Sequence, residues 1–251
     1  MKAPQTAPQT TNSDFDDLID QLGKAAVNLK IGAPAVGNSK GKAYEAWLML
    51  EIANKLRKSK YVLLPHGSDD KPVRFFKVSG SPANMPSKHG KSSENPCHFK
   101  FYRNKNKVFE LHLGLNVLGG SGATHEMDLS ILKYKQAFAL RSAGGGPFKG
   151  DLVAALELKA FDKYGKLPHD ISRAFLGVGV DVGDCWFFNI NQFIYYSAIV
   201  TSANMYKSSE ALLSYHSIKF HKMVDPGSSF KIKSFLDEIF NEIIGYEAAF
   251  P

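Results

Sequence analysis

Apolar positions in "SDFDDLIDQLGKAAVNLK" fall at Phe15, Leu18, Ile19, Leu22 and Leu29, near one helical face, and predict a helix capped by Ser13 or Asp14. The turn-rich "IGAPAVGNSKG" ends it, and "KAYEAWLMLEIANKLRKSK" predicts a second helix followed by a short strand, "YVLLP". Further on, "VFELHLGLNV" and "HEMDLSILKY" read as two strands joined by the turn "LGGSGAT", and a Gly-rich loop, "RSAGGGPFKG", leads into a third, "DLVAALELKAF". A helix from about His169, the strands "CWFFNI" and "FIYYSAIVT", and a C-terminal helix, "SFLDEIFNEIIGYEAAF", complete the pattern. Helix, mixed strands, helix, strand, helix is the order of an α/β sandwich, with no internal repeat.

Two charges interrupt the third strand. In an extended chain, Glu157 and Lys159 project from the same side, and charges in such a setting are rarely buried unless they are paired or bind a metal. Partners are sought among the other acids. Glu45 is in helical register with Leu48, Ile52 and Leu56, so its carboxylate points at the core. Glu51 lies on another azimuth, four residues before Lys55, which predicts a surface ion pair and no function. Asp128 lies in a strand that continues into apolar residues, with Glu126 on the same face as a reserve candidate.

Composition narrows the classes. The 251 residues, 44% hydrophobic, suffice for a real core and read as a tail over 1–13 followed by a single domain over 14–251. No apolar run is of membrane-spanning length and the first residues show no secretory signal, which predicts a cytoplasmic protein without membrane partners. Cys97 and Cys185 stand apart in unlike contexts, consistent with a reducing compartment and no structural zinc from cysteine.

Charge is uneven. The net charge is +7, and residues 66–107 hold nine Lys or Arg against three acids, nine minus three or +6. Aromatics alternate with bases in "KPVRFFKV" and "CHFKFYRNKNK", around the Pro/Ser/Gly-rich "SGSPANMPSKHGKSSENP". The stretch reads as a basic insertion meeting a polyanion, through Arg74, Lys77, Lys100, Arg103, Lys105 and Lys107; a solvated lysine-rich loop is the alternative. Phe75, Phe76, Phe99, Phe101 and Tyr102 either stack on bases or anchor the segment to the core.

Other motifs are weaker. "GGSGATHE" lacks a Gly-Lys-Ser/Thr ending and is a turn. His66, His89, His98 and His125 show no metal spacing and read as surface or hydrogen-bonded histidines. Asp69-Asp70-Lys71 is an acid-acid-base triplet of the kind expected by chance in a polar loop.

Glu45 on a helix, Asp128 on a strand and Glu157-Leu158-Lys159 on the next, in that order, resemble the PD-(D/E)XK nuclease superfamily over about residues 40–200. Met127 stands where that motif has proline, and the segment between Asp128 and Glu157 exceeds a simple hairpin. The resemblance implies a restriction-endonuclease-like core, a central mixed sheet flanked by helices in an α/β/α sandwich. It implies a Mg²⁺-dependent endonuclease, with Mn²⁺ as a substitute, that leaves a 5′-phosphate and a 3′-hydroxyl. Asp128 and Glu157 would hold the ion with the Leu158 carbonyl, Glu45 would hold its water or a second ion, and Lys159 would orient and help deprotonate the attacking water. Arg173, on the helix after the motif, would touch a backbone phosphate or stand as a plain surface residue. DNA is the favoured substrate, in a microbial restriction or phage-defence setting, the chain acting as a homodimer or with a separate motor or sensor protein. Two alternatives stay open: a vestigial site, its charges a buried salt-bridge cluster, in a nucleic-acid-binding or protein-interaction module, and an RNA-cleaving effector.

Overall fold

A computed structural model describes residues 13–37, 39–67, 69–78, 82–89, 96–161, 165–183 and 193–250, the side chains of 13 and 14 excepted. Residues 1–12 of the expected 1–13 tail, the side chains of the cap candidates Ser13 and Asp14, Cys185 and the strand "CWFFNI" lie outside the described residues, and Ser13 already belongs to the first helix.

The chain opens with α1 (Ser13–Leu29) and α2 (Lys40–Lys58), then runs through β1 (Val62–His66), β2 (His98–Tyr102), β3 (Val108–Leu118) and β4 (Thr124–Lys133). Next come α3 (Tyr134–Ser142), β5 (Leu152–Lys159), β6 (Lys166–Leu167), α4 (His169–Gly183), β7 (Ile194–Thr201) and β8 (Asn204–Met205). The chain ends with α5 (Lys207–Tyr215), β9 (Lys219–His221) and α6 (Ser229–Ala249). Seven strands form one mixed sheet in the order β1-β2-β3-β4-β5-β7-β9. β1 to β5 pair antiparallel, whereas β5, β7 and β9 pair parallel, as their helical crossovers through α4 and α5 require. β6 and β8 form a separate parallel pair.

Two cores lie on the two faces of this sheet. One gathers α1, α2 and α6, through Leu22, Trp47, Leu50, Phe235 and Ile239, against Phe99, Leu111, Leu129 and Leu156. The other gathers Ala137 of α3, Phe175 of α4 and Leu213 of α5 against Val117, Leu152 and Ile199. The class is α/β, a large mixed sheet flanked by helices. α2 lies between the sheet and α1, so apolar residues surround it nearly all round. Ser39 caps its start, accepting from Lys42 N at 3.3 Å, and Asn54 Nδ2 donates to Ala25 O of α1 at 3.1 Å.

Three sequence expectations change. Residues 66–107 are not an insertion as a whole, because β2 inside them pairs with β1 and β3; the excursion proper is 67–97. Phe76, Phe99 and Phe101 are buried in the core and anchor the segment, while Phe75 is exposed. The long link between β4 and β5 contains α3 and still returns an antiparallel pair. Gly145, at φ +83°, allows this return: a Cβ there would lie 2.3 Å from Met85 O, so only glycine fits.

Candidate active site

The register of β3 and β4 pairs Leu113 with Leu129 and Leu115 with Met127, which sets Gly114 level with Asp128. Leu111, Leu113, Leu129 and Ile131 face the α2 core, while Leu115, Val117 and Met127 face the other. Both strands therefore turn over at this level, and Gly114 supplies the left-handed step at φ +62°. β4 and β5 stay paired only from Leu132↔Leu152 to Leu129↔Leu156. Beyond that point Leu158 N donates at 2.8 Å to Asp128 Oδ2, so a side chain takes the hydrogen bond that a sheet partner would otherwise receive.

Asp128 is thus buried where two strands part, and the other predicted residues converge on it. Lys159 Nζ is 2.8 Å from Asp128 Oδ2 and 2.8 Å from Glu157 Oε1. From α2, Glu45 accepts from Lys42 Nζ at 2.8 Å, and the same ammonium lies 3.5 Å from Glu126 Oε1. Glu45 is 6% exposed and Asp128 4%. Lys42 is absent from the sequence-derived set, although its position three residues before Glu45 on one helix face is a usable signal. Glu126, the reserve candidate, belongs to the group.

Four acids, Glu45, Glu126, Asp128 and Glu157, face two lysines, Lys42 and Lys159, four minus two, an excess of −2 if all are ionised. Burial first, then the charge of Asp128, pushes the Glu45 carboxyl up to about 7. The same two causes raise Glu157. Burial alone would lower Lys159, but Glu157 and Asp128 outweigh it and hold the ammonium well above its ordinary value. Lys159 thus acts here as a hydrogen-bond donor to both carboxylates. Glu126 Oε1 is buried without a hydrogen-bond donor. The group offers only oxygen ligands, and no three of its carboxylates bring ligand atoms within 4.8 Å of one another.

Glu45→Gln should therefore stabilise the metal-free protein at pH 8. A carboxyl raised from 4.5 to about 7 binds more protons folded than unfolded, so its favourable contribution is full below pH 4.5 and lost as pH rises through 7. The difference is about 3 kcal/mol. Urea melts of both proteins at pH 5 and pH 8 should show the gain only at pH 8; equal stabilities there would mean that Glu45 is not strained.

The predicted nucleic-acid residues are less gathered. Lys100 lies 3.4 Å from Asp70 Oδ2 and 3.7 Å from the Tyr134 ring centroid, so its charge is engaged inside the fold. Arg103 pairs with Glu247 at 2.6 Å, and Lys107 donates to the Glu247 carbonyl. Arg74, Lys77, Lys105 and Arg173 are exposed. Lys105 and Lys107, with Lys133, Lys135, Tyr134 and Tyr246, line an open groove of about 750 Å³. Lys133 is five residues along β4 from Asp128, roughly 17 Å in an extended strand. Lys55 reaches Asp237 of α6 at 2.5 Å instead of the expected Glu51, whose carboxyl is raised by burial and lies near Lys58 and Trp47.

His125 is hydrogen-bonded as expected, 2.6 Å from Asp181 Oδ2. His66 and His98, read as scattered, instead converge: a ligand atom of each lies within 4.8 Å of one of Asp70, and His98 groups likewise with Glu110 and His112. Strand register sets His66, His98 and His112 side by side, and the loop residue Asp70, four residues after His66, turns back on the first two.

Compared with protein-family models, curated proteins and solved structures, the chain matches none. Among the described residues, no helix is long and apolar enough to cross a membrane.

Proposed function

We propose that the chain is a metal-dependent phosphodiesterase of restriction-endonuclease-like architecture that cleaves nucleic acid, with DNA as the favoured substrate. The observation that carries this reading is the convergence of Asp128, Glu157 and Lys159 where β4 and β5 part, beside Glu45 on α2. The order α2, β3-β4-β5, α4, β7, with β7 parallel to β5, supports the architecture.

Asp128 and Glu157 would hold the divalent cation, with Glu45 and Glu126 within reach of its hydration shell. A bound Mg²⁺ supplies positive charge against a phosphodiester approaching the transition state. Lys159, protonated, donates to the same developing charge and keeps the two carboxylates from repelling each other. Glu45, at about 7, is the group matched to accept a proton near neutral pH, and Lys42 holds its carboxylate in place. Its sheltered setting is what keeps that pKa high.

A second reading rests on one specific feature: Lys159 already bridges both carboxylates, and Lys100, Arg103 and Lys107 are engaged within the chain. Such a chain could be a vestigial nuclease fold used for binding. Incubation with plasmid, linear duplex, single-stranded DNA and RNA, each with Mg²⁺ and with a chelator, separates the two. Mg²⁺-dependent cutting that leaves a 5′-phosphate supports the first reading; retention of nucleic acid without cutting supports the second.

Binding should also distinguish exposed bases from engaged ones. If Arg74, Lys105 and Arg173 meet phosphates, their replacement by glutamine should lower the logarithmic salt slope on duplex DNA by about 0.9 for each phosphate no longer neutralised. Lys100→Gln should leave that slope unchanged and lower the melting temperature instead, since its ammonium rests on Tyr134 and Asp70. Filter binding across a salt series and thermal melts read both; a Lys100→Gln protein with normal melting and a reduced slope would reverse this assignment.

A further inference from the structure

His66, His98 and His112 stand side by side on β1, β2 and β3. His66 is the register partner of His98, and the His98 and His112 rings stack with centroids 4.8 Å apart. His66 and His98 also mark the two ends of the excursion 67–97, where the chain leaves the sheet and returns to it. Four residues into this excursion, Asp70 adopts a left-handed backbone, φ +59°, and turns back on both histidines. Its Oδ1 lies 3.2 Å from His66 Nδ1 and 3.9 Å from His98 Nε2.

These groups are short of partners. His66 and His98 are 5% and 2% exposed, yet His66 Nε2, His98 Nε2 and Asp70 Oδ1 make no hydrogen bond. His66 Nδ1 contacts the Asp70 carbonyl oxygen at 2.9 Å, and this fixes its ring. The second Asp70 oxygen, Oδ2, is held by the Tyr134 hydroxyl at 3.0 Å and by Lys100 at 3.4 Å, which leaves Oδ1 over. Unsatisfied buried ring nitrogens are rare enough to need a cause, and a carboxylate fixed through one oxygen is how outer residues orient a metal ligand. Arg141 Nη2 lies 3.9 Å from Oδ1, but that guanidinium is bidentate on Glu110. The neighbouring group of His98, Glu110 and His112 is unsuitable, since Arg141 and His112 Nε2 already occupy the Glu110 oxygens.

We propose that His66, Asp70 and His98 form a zinc site, with a fourth position for water, that pins the root of the excursion 67–97 to the sheet. Two imidazole nitrogens with one carboxylate oxygen suit Zn²⁺ better than Mg²⁺, which prefers oxygen alone. The protonation states agree: burial holds His98 neutral, down at about 3. For Asp70, burial works upward but is outweighed by His66, Tyr134, Lys100 and Arg141, so its carboxyl sits at about 2.

The whole chain carrying Asp128→Asn and Glu157→Gln, stripped with a chelator and titrated with Zn²⁺, should take up one equivalent, read by elemental analysis after gel filtration. Adding His66→Gln or His98→Gln should weaken uptake by at least the roughly 100-fold that loss of an outer-shell partner can cost. Where those variants fail to fold, X-ray absorption of the zinc-loaded protein decides, with two imidazoles and oxygen in a four-coordinate shell at about 2.0–2.1 Å as the expected result. Absent uptake, undiminished uptake in folded histidine variants, or a shell containing sulfur or only oxygen overturns the proposal. Because Asp128 and Glu157, the two carboxylates that the nuclease reading gives to its cation, are already replaced, failure of this proposal is distinguishable from failure of that reading.

Discussion

Asp128→Asn, Glu157→Gln and Lys159→Ala should each lower Mg²⁺-dependent cleavage by about 10³-fold, and the double and triple variants should lose little more. The reason is geometric. Lys159 touches both carboxylates at 2.8 Å, and the Leu158 N–H touches Asp128 at 2.8 Å, so the three side chains hold one another and fail as a unit. Stability separates them. Removing the Lys159 ammonium leaves the buried Asp128 and the half-buried Glu157 with one compensating charge fewer, a loss of about 3 kcal/mol in metal-free protein at neutral pH. Mg²⁺ should restore part of it by binding the folded state only. Asp128→Asn works the other way on its neighbours, because the repulsion that helps raise Glu45 and Glu157 disappears. Assays at temperatures where circular dichroism shows each variant folded check the activity, and chelator-controlled melts check the stability. Near wild-type cleavage by any two folded single variants would sink the assignment.

What the sequence reveals follows from where the relevant information lies. α2, the β3–β4 hairpin, β5, α4, β7 and α6 carry their own periodicity and are legible. β2 is not, although "HFKFY" alternates cleanly. Phe99 and Phe101 face one core while His98 and Lys100 face Asp70, Glu110 and Tyr134, partners distant in sequence that turn apparent phosphate ligands into internal ones. The short α3, α5 and β9 offer only between two and three turns or a few residues each, too little for a pattern. At the site, Glu45, Asp128, Glu157 and Lys159 are readable as types in an order. The protonation preference of Lys159 is not, since it depends on two carboxylates held at contact distance in a buried place. The histidine group is invisible for a related reason: only cross-strand register makes neighbours of His66, His98 and His112.

Arg141→Ala should destabilise the fold by about 3–5 kcal/mol at pH 7–8, a fall in melting temperature on the order of 10 °C for a chain of this size. Arg141 on α3 and Glu110 on β3 are both 0% exposed and joined by two hydrogen bonds, so the pair fastens α3 to the sheet beside the histidine row. Burial alone would raise the Glu110 carboxyl, but the electrostatic effect of His98 and the hydrogen bonds of Arg141 and His112 outweigh it and hold the group well below its ordinary range. The sign follows from that direction. A carboxyl depressed in the folded state contributes stability that is present above its unfolded value of about 4.5 and lost as pH falls further. Without Arg141 the burial cost dominates, Glu110 prefers its proton, and the defect should shrink as the medium is made acidic. Glu110→Gln in the Arg141→Ala background removes the uncompensated charge and should recover part of the loss at pH 8, so the two substitutions should be strongly non-additive. Urea melts of the two single variants and the double variant from pH 4 to pH 8 measure the coupling. Additive losses, or an Arg141→Ala defect that is the same at both ends of the range, would show that the pair is a packing element and not an electrostatic one.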